Sequence, residues 1–261
     1  MAVAVPSSAA RGELIERLVR RDRLVVTGGL LLVTSMAWWY LLAGAGMDMG
    51  AMTMTMPMPW SPGYGLLVFL MWWVMMAAMM LPSAAPMILL FGMVSRKNSA
   101  AGSPRVSTLF FASAYLVAWG LFSLLATVIH WLLDQSGLLS AQMSSRSVML
   151  GALLLLLAGL YQLTPWKHAC LRHCRGTLDF VMRYWRPGHR GALYMGLQHG
   201  ALCVGCCWVM MGLLFYGGVM NLYWITGIAV LVLAEKLLPA GEYLDRAGGL
   251  AFIGWGLWVL I

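Results

Sequence analysis

Gln198-His199-Gly200-Ala201-Leu202-Cys203-Val204-Gly205-Cys206-Cys207-Trp208-Val209-Met210-Met211 sets one imidazole and three thiols in an otherwise apolar run. Wound as an α-helix at about 100° per residue, with His199 at zero, it puts Cys203 near ~40°, Cys206 near ~−20° and Cys207 near ~80°. One helix face of roughly 100° carries the whole set. Thiolate and imidazole are the soft and borderline ligands that suit Cu(I) and Zn(II). A single helix closes two or three ligands on one ion through its i,i+3 and i,i+4 neighbours. A second segment is therefore expected to complete a site built on His199, Cys203, Cys206 and Cys207. Free cysteine is also a common inert core residue. Three cysteines in five positions beside a histidine point instead to a metal or redox site.

The chain around this stretch has 61% hydrophobic and only 10% charged residues among its 261. Its mean hydropathy is +0.80. That balance predicts an integral membrane protein and excludes an ordinary soluble domain. The expected fold is all-α, a polytopic bundle of six to seven transmembrane helices. The spans expected are 24–45, 64–94, 108–133, 147–166, 191–215 and 222–238. Residues 248–261 form a last, shorter apolar segment that either spans a thinned bilayer or lies partly embedded. The first apolar run is long and lacks a small-residue cleavage site, so it is expected to stay as an anchor. Five cysteines, an odd number in or near apolar or cytoplasmic segments, argue against a disulfide framework.

The net charge of +8 comes from loop placement and makes no case for nucleic acid. With the N-terminus inside, the basic segment 1–23, loop 96–105, loop 167–190, Lys236 and Arg246 all lie on the cytoplasmic face, leaving only Arg146 outside. The positive-inside rule thus predicts a multi-pass protein of a bacterial inner membrane with a cytoplasmic N-terminus. Residues 13–20 have an apolar helical face suited to a short interfacial helix. Residues 24–261 form the multi-span domain.

Methionine is the compositional outlier, at 22 residues. Six fall in one run, Met47, Met49, Met52, Met54, Met56 and Met58, inside the expected external loop 44–62. Pro57, Pro59 and Gly50 argue against a helix there. A thioether is a neutral soft ligand that holds Cu(I) even when thiols and imidazoles are protonated. The next span carries Met71, Met75 and Met79 at i,i+4, with Met76 and Met80 on an adjacent stripe. Pro82 and Pro86 are expected to kink it. A stripe of methionines is commonly core, but the methionine run before it favours a ligand role as well. His130 and Asp134 share one helix face at the end of their span nearest that loop, a place typical of an interfacial side chain.

A second ligand-type cluster, His168, Cys170, His173 and Cys174, stands at the inner membrane edge, with Cys170 and Cys174 one turn apart. Its spacing matches no zinc finger. It is either a second site or the other half of the first. Glu235 is the acid placed near the inner end of a span, where ionisable residues are functional candidates. An ion pair to the 167–190 loop is the alternative, with neighbouring Lys236 serving a different partner.

Several blocks together resemble a predicted metal-binding integral membrane protein family, a bacterial domain of unknown function sometimes labelled copper chaperone. They are Met75-Met76-Ala77-Ala78-Met79-Met80-Leu81-Pro82-Ser83-Ala84-Ala85-Pro86-Met87, Tyr161 to Lys167, Cys170-Leu171 with Cys174-Arg175, Gly200 with Cys203, Gly205-Cys206-Cys207-Trp208, Gly218-Val219-Met220-Asn221 and Glu235-Lys236. The resemblance covers about residues 65–240 and implies a multi-span inner-membrane protein with a metal role.

Two functions follow as expectations. The first is the handling of a soft metal, Cu(I) with Zn as the other candidate, by a chaperone or conduit. It would supply the cell, or a periplasmic or membrane copper protein, from within the lipid bilayer. No ATP-binding motif is present, so binding or passive transfer is favoured over an enzyme or a driven pump. The second is a membrane thiol oxidoreductase or metal-dependent oxidase component built on Cys203, Cys206 and Cys207. Thiolates at that depth demand a metal or a cationic partner, and the methionine run has no part in thiol exchange.

Overall fold

The computed structural model describes residues 8–46, 60–97, 104–140 and 143–261. The run Met47, Met49, Met52, Met54, Met56 and Met58 lies outside the described residues. The regular elements are all α-helices, and the pairing of Leu139 with Ser145 is an isolated bridge. In chain order they are α1 (Ser8–Leu42), α2 (Pro62–Lys97), α3 (Pro104–Gln135), α4 (Val148–Gln162), α5 (Pro165–Arg175), α6 (Thr177–Tyr184), α7 (Gly188–Gly212), α8 (Leu214–Gly217), α9 (Leu222–Leu237) and α10 (Gly241–Leu260). The basic N-terminal stretch runs into the first apolar segment as one continuous helix.

Among the described residues, four helical stretches are long and apolar enough to cross a membrane: Arg23–Leu42, Pro62–Arg96, Val106–Gln135 and Gly188–Gly217. The bent pair α4–α5 makes a fifth if taken as one span. This is fewer than the six to seven expected. The shortfall lies in α9, which has only 16 residues, and in α10, whose first turns carry Glu242, Asp245 and Arg246. The last apolar segment is nevertheless longer than expected, a 20-residue helix.

α2 runs helical through both Pro82 and Pro86. It packs between α1 and α3, α3 lies along α7, and α4 lies along α10. α9 touches α2 and α10. Small residues permit these close approaches, the expected device where apolar helices gain little by excluding water. Ala192, Gly196 and Gly200 repeat every fourth residue on α7. A Cβ at Gly196 would collide with the Phe111 carbonyl, and one at Gly200 would lie 2.5 Å from the Ala118 methyl. Between α4 and α10, a Cβ at Gly159 would stand 2.6 Å from the Gly249 oxygen.

The break between α4 and α5 positions the site. Thr164 caps α5 by accepting from the Lys167 amide, and Pro165 opens the new helix. Proline at the first position has no amide to leave unpaired, and a threonine cap satisfies one that would be. The chain turns by 65° there. Segment 167–190, expected as a basic loop, is therefore mostly two helices, α5 and α6. The turn also carries Lys167 into the interior, where it is fully buried.

Candidate metal centre

His199, Cys203, Cys206 and Cys207 all lie on the buried face of α7. The thiols of Cys206 and Cys207 donate back to the Cys203 carbonyl at 3.1 and 3.0 Å. Cys207 also reaches Met80 of α2, sulfur to sulfur at 4.0 Å. Cys203 points at α9 and α3 instead. Its sulfur is 2.9 Å from Lys236 Nζ and 3.1 Å from the Tyr115 hydroxyl. Lys236 also donates to Ser83 Oγ at 3.2 Å, and Tyr115 to the Met80 carbonyl at 3.3 Å. Lys236 is the cationic partner that a buried thiolate needs.

His199 parts company with the thiols. Its ring stacks on Phe111 and Tyr115, at 6.1 and 5.7 Å between centroids, and meets the edge of Phe180 at 5.4 Å. Its Nδ1 is buried without a hydrogen-bond partner. The helical arc that places it with the cysteines is correct, but an aromatic box from α3 and α6 surrounds its ring.

The cluster at 168–174 divides. Cys174 reaches across to α7, where its thiol interacts with those of Cys203 and Cys206. The two cysteine groups therefore meet. Cys170 lies against Gly205, where a Cβ would stand 3.2 Å from its sulfur. Tyr161 donates its hydroxyl to the Gly205 carbonyl beside it. His168 turns the other way, its Nδ1 3.2 Å from Asp245 Oδ2. His173 bonds the carbonyl of Ala169 on its own helix. All five cysteines are free.

Both methionine stripes of α2 face inward. Met71, Met75, Met76, Met79 and Met80 are each at most 2% exposed. α7 adds Met195, Met210 and Met211, equally buried. At the other end of α2, Trp72 donates to His130 Nδ1 at 3.3 Å and Trp60 to Asp134 at 2.6 Å. His130 is thus a buried, hydrogen-bonded residue and not an interfacial one.

Glu235 meets the alternative expectation, an ion pair. Lys167 Nζ stands 2.9 Å from Glu235 Oε2 and also bonds Asp245. Gln162 donates to Glu235 Oε1 at 2.9 Å. Gln162, Lys167, Glu235 and Asp245 are all at most 1% exposed. Sequence reasoning missed Gln162 and Asp245 and left Lys167 in a solvated loop. An acid in the turns leading into an apolar segment, at Asp245, was the available signal. Tyr115, Ser83 and Met210 gave none, since each is ordinary in an apolar helix.

The arrangement offers a soft core, thiols and thioethers with one ammonium beside the central sulfur. Among the described residues no three His, Cys, Asp or Glu side chains stand around one point so as to hold a metal ion. Two thiols with thioethers nearby are the ligand set at hand.

These features define a helical protein with apolar helices of membrane-crossing length around a sulfur-rich interior. The chain belongs to a family described as copper chaperone, whose model matches residues 69–259. Its role is copper-related, and its apolar helices suit a lipid environment. Neither the curated proteins nor the solved structures contain a match to it.

Proposed function

We propose that this chain is a multi-pass protein of a bacterial inner membrane that carries Cu(I) as cargo, as a chaperone or conduit for the cell or for a copper protein at its outer face. The observation that carries the reading is the burial of Cys203, Cys206 and Cys207 on one face of α7, with Cys207 against Met80 of α2, inside an apolar bundle. Soft thiolate and thioether ligands select Cu(I) over harder ions.

On this reading α9 and α10 also lie within the bilayer. The charged start of α10 is tolerated because Asp245 is paired with Lys167. The basic N-terminal segment and the 167–190 segment face the cytoplasm, as the distribution of Lys and Arg favours. The methionine loop at 44–62 captures the ion outside. Met71 to Met80 extend about 13 Å inward along α2 at 1.5 Å per residue. The ion then passes between similar soft ligands without meeting a deep trap, and the thiols of α5 and α7 hold it. His199, His168, His173 and Cys170 take no part in this holding site.

X-ray absorption of the copper-loaded protein tests the reading. A first shell of sulfur alone is expected, lost in Cys203→Ser/Cys206→Ser. A shell dominated by nitrogen would move the ion to the histidines and overturn it. The Lys236–Cys203 contact would also serve a thiol oxidoreductase. That second reading requires Cys203 and Cys206 to cycle to a disulfide in metal-free protein, which thiol counting before and after oxidation detects.

A further inference from the structure

We infer that α6 is an in-plane helix of the membrane surface that binds anionic lipid. Leu178 and Met182 enter the acyl region, and Arg183, Arg186 and Arg190 hold headgroup phosphates. The inference rests on the membrane reading above, names a partner within that membrane and uses nothing of the metal.

α6 carries two apolar faces where a helix on a soluble surface needs one. Phe180 and Val181 are buried against the bundle, where α6 touches α2 and α5. Phe180 meets the ring of His199 on α7, and Trp185, just past the helix, meets Phe91 of α2 at 5.6 Å. Leu178 and Met182 lie one turn apart on the other side, 57% and 74% exposed. Single exposed apolar residues are ordinary. A pair on one helix face beside arginines is the pattern of an interfacial helix.

Depth decides what that outer face meets. His199 lies eleven residues into α7, which starts at Gly188. At 1.5 Å per residue that is about 16 Å from the start of the helix. Contact of Phe180 with His199 therefore sets α6 alongside the first turns of α7 and not beneath their end. The outer face looks sideways from the bundle, where lipid stands on the membrane reading, and not down into the cytoplasm.

Charge complements this placement. Arg172, Arg183, Arg186 and Arg190 are exposed. The other two cations of segment 167–190 are engaged elsewhere. Lys167 is buried against Glu235, and Arg175 donates to the carbonyls of Leu238 and Pro239. Asp179 is the only acid in the segment. Four exposed arginines against one carboxylate leave this surface positive. The planar guanidinium fork suits phosphate oxygens, which it holds by two parallel bonds. Arg186 also lies over the ring of Tyr194, 3.9 Å from its centroid. Tyr194 is itself exposed, as aromatic residues at a membrane surface commonly are.

Hydrogen exchange read by mass spectrometry tests the inference on the full-length protein. The chain is reconstituted into nanodiscs of phosphatidylcholine alone and of phosphatidylcholine with phosphatidylglycerol. In wild type, peptides covering α6 should exchange about fivefold more slowly when phosphatidylglycerol is present, the scale of one arginine at an anionic surface. Arg183→Gln/Arg186→Gln should lose that difference. Arg17→Gln/Arg20→Gln, the same charge change in the N-terminal basic segment, should keep it.

Equal exchange of α6 in the two lipids would overturn the inference on wild type alone, whether or not a variant folds. Loss of the difference in both double variants would overturn it too, since any positive charge would then serve. Slowing by soluble polyglutamate in place of phosphatidylglycerol would give the face to an acidic protein and not to lipid. A chain that stays soluble without detergent and enters neither disc would instead remove the membrane reading, and this inference with it.

Discussion

Lys167 Nζ of α5 lies 2.9 Å from Glu235 Oε2 of α9, with both side chains sealed from solvent. The pair joins the helix that carries Cys174 to the helix that carries Lys236. Glu235 and Lys236 are neighbours, so they point about 100° apart on α9. Fixing Glu235 against α5 aims Lys236 at α7. An ionic network among α5, α9 and α10 thereby sets the geometry of the sulfur cluster.

Lys167→Met leaves Glu235 and Asp245 buried together without their cation. Breaking a buried pair from one side costs about 3–5 kcal/mol. The variant should lose most of its folded yield or melt well below wild type in detergent. Glu235→Gln should be milder, because Lys167 keeps Asp245 and the new amide still pairs with Gln162. Equal melting of Lys167→Met and wild type would show that the network does not hold the helices together.

Gly196→Ala places a methyl against the Phe111 carbonyl, where backbone and not a flexible side-chain tip stands in the way. Overpacking of this kind costs about 1–3 kcal/mol. Gly254→Ala, with nothing within 4 Å of the added carbon, is the matched control. Thermal unfolding should separate the two. A Gly196→Ala variant as stable as Gly254→Ala would mean that α3 and α7 do not need this contact distance.

Met80→Leu keeps volume and apolarity, so it should fold with a loss under about 1.5 kcal/mol. It removes the thioether 4.0 Å from Cys207. Copper retained during dialysis against a competitor should fall severalfold while the melting temperature barely moves. Unchanged retention would remove Met80 from the ligand set and leave it as packing.

Cys170 and Cys174 are one turn apart, yet Cys174 interacts with both Cys203 and Cys206 and Cys170 with Cys206 alone. Cys174→Ser should weaken copper retention, and Cys170→Ser should leave it near wild type. The comparison reads position and not thiol number, since each variant loses one sulfur. The opposite ranking would place the ion on the Cys170 side of α5.

The helices themselves were legible because apolar runs of the right length have few other uses. The face of α7 was legible for the same reason that helical periodicity works at all, since a fixed rotation per residue puts His199 and the three cysteines inward together. What surrounds that face was not. Periodicity cannot say that Phe111, Tyr115 and Phe180 take the imidazole while Met80 and Lys236 take the thiols. Lys167 is the sharpest case. In sequence it opens a run of basic residues and reads as solvated. The 65° turn after Thr164 carries it inward instead, and its acidic partners sit roughly seventy or more residues later in the chain. The meeting of Cys174 with Cys203 depends on the same turn. α10 does not count among the membrane-length apolar helices, because Asp245, although buried against Lys167, depresses hydropathy as much as a solvated acid does.

The most direct test of Cu(I) handling is the metal content of detergent-purified protein after growth with added copper, wild type beside Cys203→Ser/Cys206→Ser. The account predicts near-stoichiometric copper in the wild type and its loss in a folded variant. Copper absent from the wild type, or retained in full by the variant, would contradict it.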